Sequence, residues 1–258
     1  ADRVANPMKQ PLAERVEAVK ERIAQAALRA KRDPAEITLV AVTKYAGPEV
    51  IREAIKLGLL DLGENRVQQL AQRAAQLQEQ ITRRITAGDA PSQPRVRWHM
   101  IGHLQRNKAK LVLPYISLLH SVDTLRLAEE LDAHLEKMSL KEPTPRRLPV
   151  LVQVNASEEP QKYGVAVGAV THLAEQIATM KHLQVAGLMC MAAFGASESV
   201  VRSTFARTRE IFAEMQFRKI GGPSLKHLSM GMSDDFEWAI EEGSTMVRVG
   251  TALFGGKP

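Results

Sequence analysis

The chain has 258 residues, of which 45% are hydrophobic and 25% charged, and it carries a formal net charge of +6 at pH 7. No uncharged apolar run approaches the ~18 residues of a membrane-spanning helix, and the one cysteine excludes both an intrachain disulfide framework and a cysteine-rich zinc site. We therefore expect a globular protein of the cytoplasm that has no membrane partner.

Two kinds of hydrophobic pattern alternate along the chain. Short, nearly continuous apolar runs are typical of parallel strands that are buried on both faces. In chain order, eight such runs lie at 37–42, 59–62, 97–101, 118–122, 150–154, 185–189, 225–229 and 246–249. Helical patterns lie between or after them at 48–57, 64–81, 106–113, 124–138, 167–180, 199–217 and 234–242. The last helix is predicted to begin with a capping box between Asp234 and Glu237.

Strands and helices that alternate this often predict an α/β fold built from βαβ units. Eight strands within 258 residues fit a closed (β/α)8 TIM barrel better than an open sheet, and we assign residues 1–258 to a single domain. No helix-sized segment follows the eighth strand. A long helical pattern at 12–30 precedes the first strand, and we expect this helix to fill the vacant place in the outer ring.

A basic stretch runs from Arg66 to Lys110, where nine Lys and Arg side chains are opposed only by Glu79 and Asp89. The stretch is either a solvated helix face with a loop or a footprint for nucleic acid. We favour the solvated face, because no aromatic or glycine-rich binding motif is interleaved with the charges. A nucleic-acid or protein interaction module that uses this stretch stays open as an alternative function.

The ends of the strands at the C-terminal face carry the active site in barrels of this kind. Lys44 follows the first strand directly, which places it at this mouth. A partly desolvated mouth favours the neutral amine that Schiff-base chemistry needs; a snorkelling lysine without a chemical role is the alternative. Asn65 follows the second strand, where it could donate to a substrate oxygen or cap a helix.

The loops after the seventh and eighth strands form the recurrent phosphate site of such barrels. Here they supply glycines, through which backbone N–H groups can approach an anion, and hydroxyl donors. The candidates are Ser229, Gly231, Ser233, Gly250 and Thr251. Ordinary turn chemistry is the alternative interpretation. We expect the two carboxylates that follow, at positions 234 and 235, to cap the next helix and to turn away from the anion.

Histidines and the cysteine are expected to be structural. No second cluster at ligand spacing supports a metal, so we expect no metal site and a hydrogen-bonded role for His99 and for His103. Cys190 ends the sixth strand, where a small buried residue is a better interpretation than a nucleophile.

The whole chain resembles the pyridoxal phosphate homeostasis protein family. The matching segments are Val40-Ala41-Val42-Thr43-Lys44, Gly63-Glu64-Asn65, 98–108, Val154-Asn155, Lys162-Tyr163-Gly164, Gly187-Leu188-Met189, 228–235, 243–251 and Phe254-Gly255. They occur in order from residue 40 to residue 255. One departure from the family pattern is Gln69, where a glutamate is expected after Gln68, and we expect it to have no effect on the cofactor.

The resemblance implies a fold-type III pyridoxal 5′-phosphate (PLP) barrel, like the N-terminal domain of alanine racemase but without its C-terminal β-domain. It implies that Lys44 holds PLP as an internal aldimine and that Arg248 lies against the pyridine nitrogen. It also implies that Asn65 lies near the ring oxygen, and that the 229–233 and 250–251 loops hold the phosphate. The full set of implied cofactor-binding residues is Lys44, Asn65, Ser229, Gly231, Met232, Ser233, Arg248, Gly250 and Thr251.

Arg248 also bears on the chemistry. A permanently charged guanidinium disfavours protonation of the pyridine, which makes the ring a weaker electron sink. Racemases of this fold add a tyrosine base from their β-domain; here Tyr45 and Tyr163 are the nearby tyrosines, and we expect both to be structural. The leading hypothesis is therefore a monomeric PLP carrier or regulator without catalytic residues, with PLP-dependent apoenzymes as partners. A weak amino-acid racemase, or another Schiff-base enzyme such as an aldolase, is the alternative.

Overall fold

The computed structural model describes residues 10–86, 95–140, 146–160 and 162–256, except for the side chain of Arg84. Its strands are β1 (Thr38–Val42), β2 (Asp61–Glu64), β3 (Arg97–Met100), β4 (Ile116–Val122), β5 (Leu148–Asn155), β6 (Val165–Ala166), β7 (Leu183–Met189), β8 (His227–Ser229) and β9 (Met246–Val249). All pair in parallel, and the pairings β1–β9 and β4–β5 close the sheet. The closed barrel has eight strands, as predicted, and β6 is a short addition beside β5.

Two strands, β2 and β8, begin two residues later than the sequence pattern indicated, because helix-ending turns use the first apolar residues. The N–H of Leu59 donates to the carbonyl of Ala54 at 3.0 Å, which closes the turn before β2. In the same way, the N–H of Leu225 donates to the carbonyl of Gly222 at 3.3 Å before β8. These leucines pack in the core as turn residues rather than as strand residues.

The helices are α1 (Leu12–Arg29), α2 (Pro48–Lys56), α3 (Val67–Thr86), α4 (Ala109–Val112), α5 (Leu125–Ser139), α6 (Val170–Ala178), α7 (Glu198–Phe217), α8 (Phe236–Glu241) and α9 (Thr251–Phe254). Short 3-10 turns at 106–108 and 167–169 begin two of the predicted helical segments. The predicted capping box is wrong: α8 begins after Asp235, and the carboxylate of Glu237 pairs with Arg22 at 3.0 Å.

The first helix packs against α8, α9 and α2, so it takes the place in the outer ring that was expected for it. Its buried side chains include Val16, Val19 and Ile23. Ion pairs with the outer surface of α8 support this position, and one of them joins Arg29 to Glu241 at 2.7 Å.

The basic stretch from Arg66 to Lys110 is neutralised in part by carboxylates that precede it in the sequence. Arg73 forms an ion pair with buried Glu64, and Arg97 binds Asp61 at 2.6 Å. Asp89 lies outside the described residues. Arg73 is therefore a half-buried, paired residue and not part of a solvated face. Of the described helices, none combines the length and the hydrophobicity that crossing a membrane requires.

Side chains alternate between the barrel interior and the helix layer along each strand. Val40 of β1 lies in an interior apolar cluster with Leu118, Leu151 and Met246. A Cβ on Gly63 of β2 would touch Val40 at 2.9 Å, so this glycine also faces inward. Alternation then determines which polar strand residues face the interior, and which face the helices.

Candidate functional site

Lys44 lies at the mouth of the barrel, where the sequence placed it. Side chains alternate along a strand, so Lys44 faces the same side as Val42 and Val40. Its side chain therefore points to the interior side of the mouth. The side chain is half-buried, and its Nζ lies 5.0 Å from the centroid of the Tyr45 ring. Among the described residues, no carboxylate forms an ion pair with it. The amine therefore remains open to a ligand.

Helix α3 holds the backbone on both sides of Lys44. Arg73 donates from Nη1 to the carbonyl of Thr43 and from Nη2 to the carbonyl of Ala46, each at 2.6 Å. Gln69, one turn earlier, donates from Nε2 to the carbonyl of Lys44 itself at 3.1 Å. Gln69 thus contacts the backbone of the predicted cofactor lysine, and the expectation that its departure from the family pattern has no effect on the cofactor stays a prediction.

Glu64 completes this arrangement, which we call the Lys44 clamp (Glu64, Gln69 and Arg73). Its Oε1 accepts hydrogen bonds from the Thr43 hydroxyl and from Arg73, while its Oε2 is buried without a partner among the described groups. Burial raises the pKa of this carboxyl, and the bonds from Thr43 and Arg73 oppose the rise. Sequence reasoning missed the clamp; the signal was a charged residue at the end of a buried strand, which requires a partner.

Arg248 lies on β9, opposite Val40 of β1, and only 3% of it is exposed. Its Nη1 donates to Ser229 Oγ at 2.6 Å and its Nη2 to the carbonyl of Cys190 at 3.0 Å. Burial lowers the pKa of the guanidinium, but arginine stays charged at neutral pH. No described carboxylate pairs with it directly, so this buried cation is suited to an acceptor atom of a ligand.

The two predicted phosphate loops meet beside the end of β1. Gly231 has a φ of +96°, and a Cβ there would lie 2.8 Å from Cα of Phe236, so the turn requires glycine. The N–H groups of Gly250 and Ala252 both donate to Ser233 Oγ, at 3.3 and 3.2 Å. Two backbone donors converge on this one oxygen, and an anion that binds here would replace the Ser233 hydroxyl as their acceptor. Thr251 is exposed at the edge of this cradle.

The carboxylate of Asp235 lies inside the first of these loops. Asp235 directly precedes α8, as expected of a cap, but its Oδ1 accepts from the N–H of Met232 at 2.6 Å, so its side chain bonds the loop rather than the helix. Burial raises the pKa of this carboxyl. Asp234 is exposed. The N–H of Met232 is therefore engaged within the protein, and its place among the phosphate donors stays a prediction.

Ser229 and Asn65 lie at different depths of the mouth. Ser229 is fully buried, and its hydroxyl bonds Arg248 and Nδ1 of His120, so it faces the interior below the loop. The side chain of Asn65 is exposed at the rim. A Cβ on Gly102 would collide with the backbone of Asn65, so the rim here depends on that glycine.

His99 is hydrogen-bonded and Cys190 is buried, as expected, whereas His103 is stacked on an aromatic ring. His99 lies 2.9 Å from Asp61 Oδ1 through Nε2, and 2.9 Å from His120 Nε2 through Nδ1. The ring of His103 stacks on Tyr163 with centroids 3.9 Å apart. Cys190 is fully buried, and burial raises the pKa of its thiol to about 11. Sequence reasoning missed His120. The signal was a polar residue at an inward-facing position of an otherwise apolar strand.

A family model described as the alanine racemase N-terminal domain matches residues 12–258. The pyridoxal phosphate homeostasis protein of Pseudomonas aeruginosa is 37% identical over 249 residues, which cover 95% of this chain and 96% of the relative. The protein of the same name from Escherichia coli is 37% identical over 242 residues, covering 93% and 94%. The one from Bos taurus is 36% identical over 244 residues, covering 92% and 84%.

Solved structures share the fold over most of this chain. A protein of Bifidobacterium adolescentis, described as unknown, superposes with a TM-score of 0.84 and 32% identity over 98% of both chains. PipY of Synechococcus elongatus with PLP bound has a TM-score of 0.75 and 32% identity, covering 95% of this chain and 100% of that one. An alanine racemase of Clostridium difficile has a TM-score of 0.64 at 12% identity, covering 92% and 56%, and is similar in fold alone.

Proposed function

The chain belongs to the pyridoxal phosphate homeostasis protein family, whose barrel is that of the alanine racemase N-terminal domain, and from that premise we propose that it binds PLP and acts in PLP homeostasis as a carrier or regulator. The observation that carries the proposal is the meeting of three features at one barrel mouth. They are the open amine of Lys44, the buried cation of Arg248 and the converging donors around Ser233.

The chemistry of these residues fits the three functional groups of PLP. Lys44 offers a primary amine to the aldehyde. Arg248, which bonds only neutral acceptors among the described residues, offers a donor to the pyridine nitrogen. The N–H groups of Gly250 and Ala252, with the hydroxyls of Ser233 and Thr251, suit the phosphate oxygens. Gly231 keeps the backbone close enough for this cradle to form.

PLP supplies an aldehyde that condenses reversibly with a primary amine, with loss of water. The Lys44 clamp holds the carbonyls of residues 43, 44 and 46, so the lysine backbone is fixed while its side chain remains free to engage and release a ligand. A buried Arg248 disfavours a protonated pyridine, which suits storage and exchange better than carbanion chemistry.

Little or no turnover is part of the same proposal. A racemase of this fold needs a second base opposite its lysine. The Tyr163 ring is stacked on His103, and Tyr45 lies beside Lys44 on the same loop, so neither is supported as that base. Residual racemase activity is tested by chiral chromatography after incubation with L-amino acids. Rapid formation of the D-isomer would contradict the carrier assignment.

Transfer of PLP to apoenzymes, a monomeric state and a cytoplasmic location complete the proposal. Exposed aromatic and apolar side chains around the mouth support contact with a partner: Tyr45, Tyr163, Phe194 and Met232 are 45%, 58%, 97% and 37% exposed. Analytical ultracentrifugation tests the monomer. Loss of PLP from the loaded protein to an apo-aminotransferase, faster than spontaneous release, tests direct transfer.

Borohydride trapping tests the binding itself. We expect the protein mixed with PLP to show a visible absorption band that borohydride removes, and we expect the reduced phosphopyridoxyl mass on the Lys44 peptide. Lys44→Ala should lose band and label, whereas Lys56→Ala, at an exposed lysine on α2, should keep both. The proposal fails if no band forms, or if the label lies on another lysine while Lys44 is unmodified.

A further inference from the structure

A line of hydrogen bonds crosses the interior of the barrel from β2 to β9. Asp61 Oδ1 and His99 Nε2 lie 2.9 Å apart, and His99 Nδ1 and His120 Nε2 also lie 2.9 Å apart. His120 Nδ1 lies 2.8 Å from Ser229 Oγ, which in turn accepts from Arg248 at 2.6 Å. We call these five residues the interior chain. His99, His120, Ser229 and Arg248 are all at most 3% exposed.

The two ends of the interior chain lie at different depths. Asp61 is the first residue of β2, so it lies at the N-terminal face, beside a cavity of about 490 Å³ that Lys20 and Arg97 also line. Arg97, whose side chain is half exposed, binds the Asp61 carboxylate at 2.7 and 2.6 Å. The other end, Arg248, is the cation proposed to meet the ligand. The interior chain thus connects solvent at the N-terminal face of the barrel with the proposed binding site near the C-terminal face.

When both imidazoles are neutral, the chemistry of the ends determines the direction of every bond. A guanidinium only donates, so Ser229 Oγ accepts from Arg248 and has its hydroxyl proton available for His120 Nδ1. A carboxylate only accepts, so His99 donates from Nε2 to Asp61. A neutral imidazole has one donor and one acceptor nitrogen, so His120 donates from Nε2 to His99 Nδ1. All four bonds then run from Arg248 to Asp61.

The ionisation of the members is consistent with this direction. Burial opposes ionisation of Asp61, but hydrogen bonds from Arg97 and His99 outweigh it and lower its pKa to about 2. Burial also lowers the pKa of His120 well below its usual range, so this imidazole is neutral. The other titratable groups that act on the interior chain are His227, Arg97, Asp235 and Cys190.

The opposite direction is a second complete arrangement. It needs the proton on Nδ1 of both histidines, so that His99 donates to His120 and His120 donates to Ser229. Ser229 Oγ would then accept two hydrogen bonds, and a neutral His99 could no longer donate to Asp61. Beside a neutral His99, a charged Asp61 excludes this arrangement, because a carboxylate only accepts. A neutral amide at position 61 can donate as well as accept, so it permits both directions.

We propose that Asp61, His99, His120 and Ser229 are positioning residues that orient Arg248 through one directional chain of hydrogen bonds, whose direction is set by the charge of Asp61 at the opposite face of the barrel. The part that concerns the ligand rests on the proposed binding of PLP next to Arg248. The tautomers of the two histidines are independent of that binding. They can therefore be tested in the protein without PLP.

The test is ¹⁵N NMR of the histidine rings in the full chain. In the wild type, at a pH high enough that both rings are neutral, His99 and His120 should both carry their proton on Nε2. Asp61→Asn should produce a mixture of tautomers at His120, two hydrogen bonds from the substitution. Asp132→Asn is the matched control, since Asp132 Oδ1 accepts from the backbone N–H of His182 at 2.7 Å away from the interior chain. It should change His182 alone.

Two results would overturn the proposal. One is a wild-type His120 with its proton on Nδ1, which needs no variant and hence no assumption about folding. The other is a folded Asp61→Asn protein in which the His120 tautomer is unchanged. A merely structural role for Asp61 would lower stability without moving a proton at His120.

Equilibrium dialysis with PLP then tests the link to the ligand. Asp61→Asn should weaken PLP retention roughly two- to thirtyfold, the usual range for residues coupled through a network, while Asp132→Asn leaves it unchanged. Equal retention by the two variants, with the expected tautomer change, would overturn the ligand part. If the wild type retains no PLP, the proposed function fails, and the NMR result still decides the interior chain.

Discussion

Arg73 and Glu64 form a buried ion pair directly behind the loop that carries Lys44. The guanidinium uses its other donors on the carbonyls of Thr43 and Ala46, so one side chain neutralises a buried carboxylate and fixes the loop. The position of Lys44 thus depends on a residue 29 positions later in the sequence, on another element.

Arg73→Met should therefore destabilise the protein by about 3–5 kcal/mol, because it leaves the Glu64 carboxylate buried without its cation. Urea unfolding measures the change. Arg83→Met, on the same helix but in an exposed pair with Glu79, should change stability by about 0.5 kcal/mol or less. Equal effects of the two substitutions would show that the buried pair has no special role.

Gly231→Ala should cost about 1–3 kcal/mol, because its φ of +96° is strained for alanine and the new Cβ would lie 2.7 Å from Cβ of Ala239. The shift of the loop should also weaken PLP retention. Gly47→Ala is the control: it lies on the loop before α2, its φ is −76°, and a Cβ there meets nothing within 4 Å. Thermal unfolding and equilibrium dialysis measure both effects, and similar losses in the two variants would contradict the prediction.

Asp61 should make a pH-dependent contribution to stability. The pKa of Asp61 is about 2 in the folded protein, below the value of about 4 for an unperturbed Asp. Its charge therefore stabilises the folded state fully above about pH 4. The contribution is lost as the pH falls from about 4 to about 2. The difference in unfolding free energy between wild type and Asp61→Asn should thus be about 2–3 kcal/mol near pH 6 and shrink in acid. A difference that is constant with pH would argue against this assignment.

Cys190 should be unreactive in the folded protein. Burial raises the pKa of its thiol to about 11, so almost no thiolate exists at pH 7, and the side chain is inaccessible. A thiol reagent such as Ellman's reagent should label it in strong denaturant and only through unfolding in buffer. Rapid stoichiometric labelling of the native protein would show that the thiol is accessible.

Much of the site could be predicted from the sequence because the barrel converts chain position into spatial position. A residue that follows a parallel strand lies at the C-terminal mouth whichever strand it follows. Lys44, Asn65 and the loops around Gly231 and Gly250 were therefore located without knowledge of any contact. The resemblance added Arg248, which the structure places inward on β9.

The direction of individual side chains was harder to predict. Asp235 was expected to face away from the predicted anion, yet its carboxylate accepts from the backbone of its own loop. Asp234, Asp235 and Glu237 are all plausible caps in a linear sequence. The loop geometry, and the competing ion pair of Glu237 with Arg22 of α1, decided between them.

The sequence by itself determined the eight strands, the ring of helices and the face at which the lysine lies, because these follow from local hydrophobic periodicity and from the handedness of βαβ units. Only the tertiary structure decided which polar side chains meet. His120 and Ser229 are 109 residues apart, and their hydrogen bond exists because the barrel closes and brings β4 across from β8. A hydrogen bond depends on a few tenths of an ångström between two atoms, and no periodic pattern carries that information.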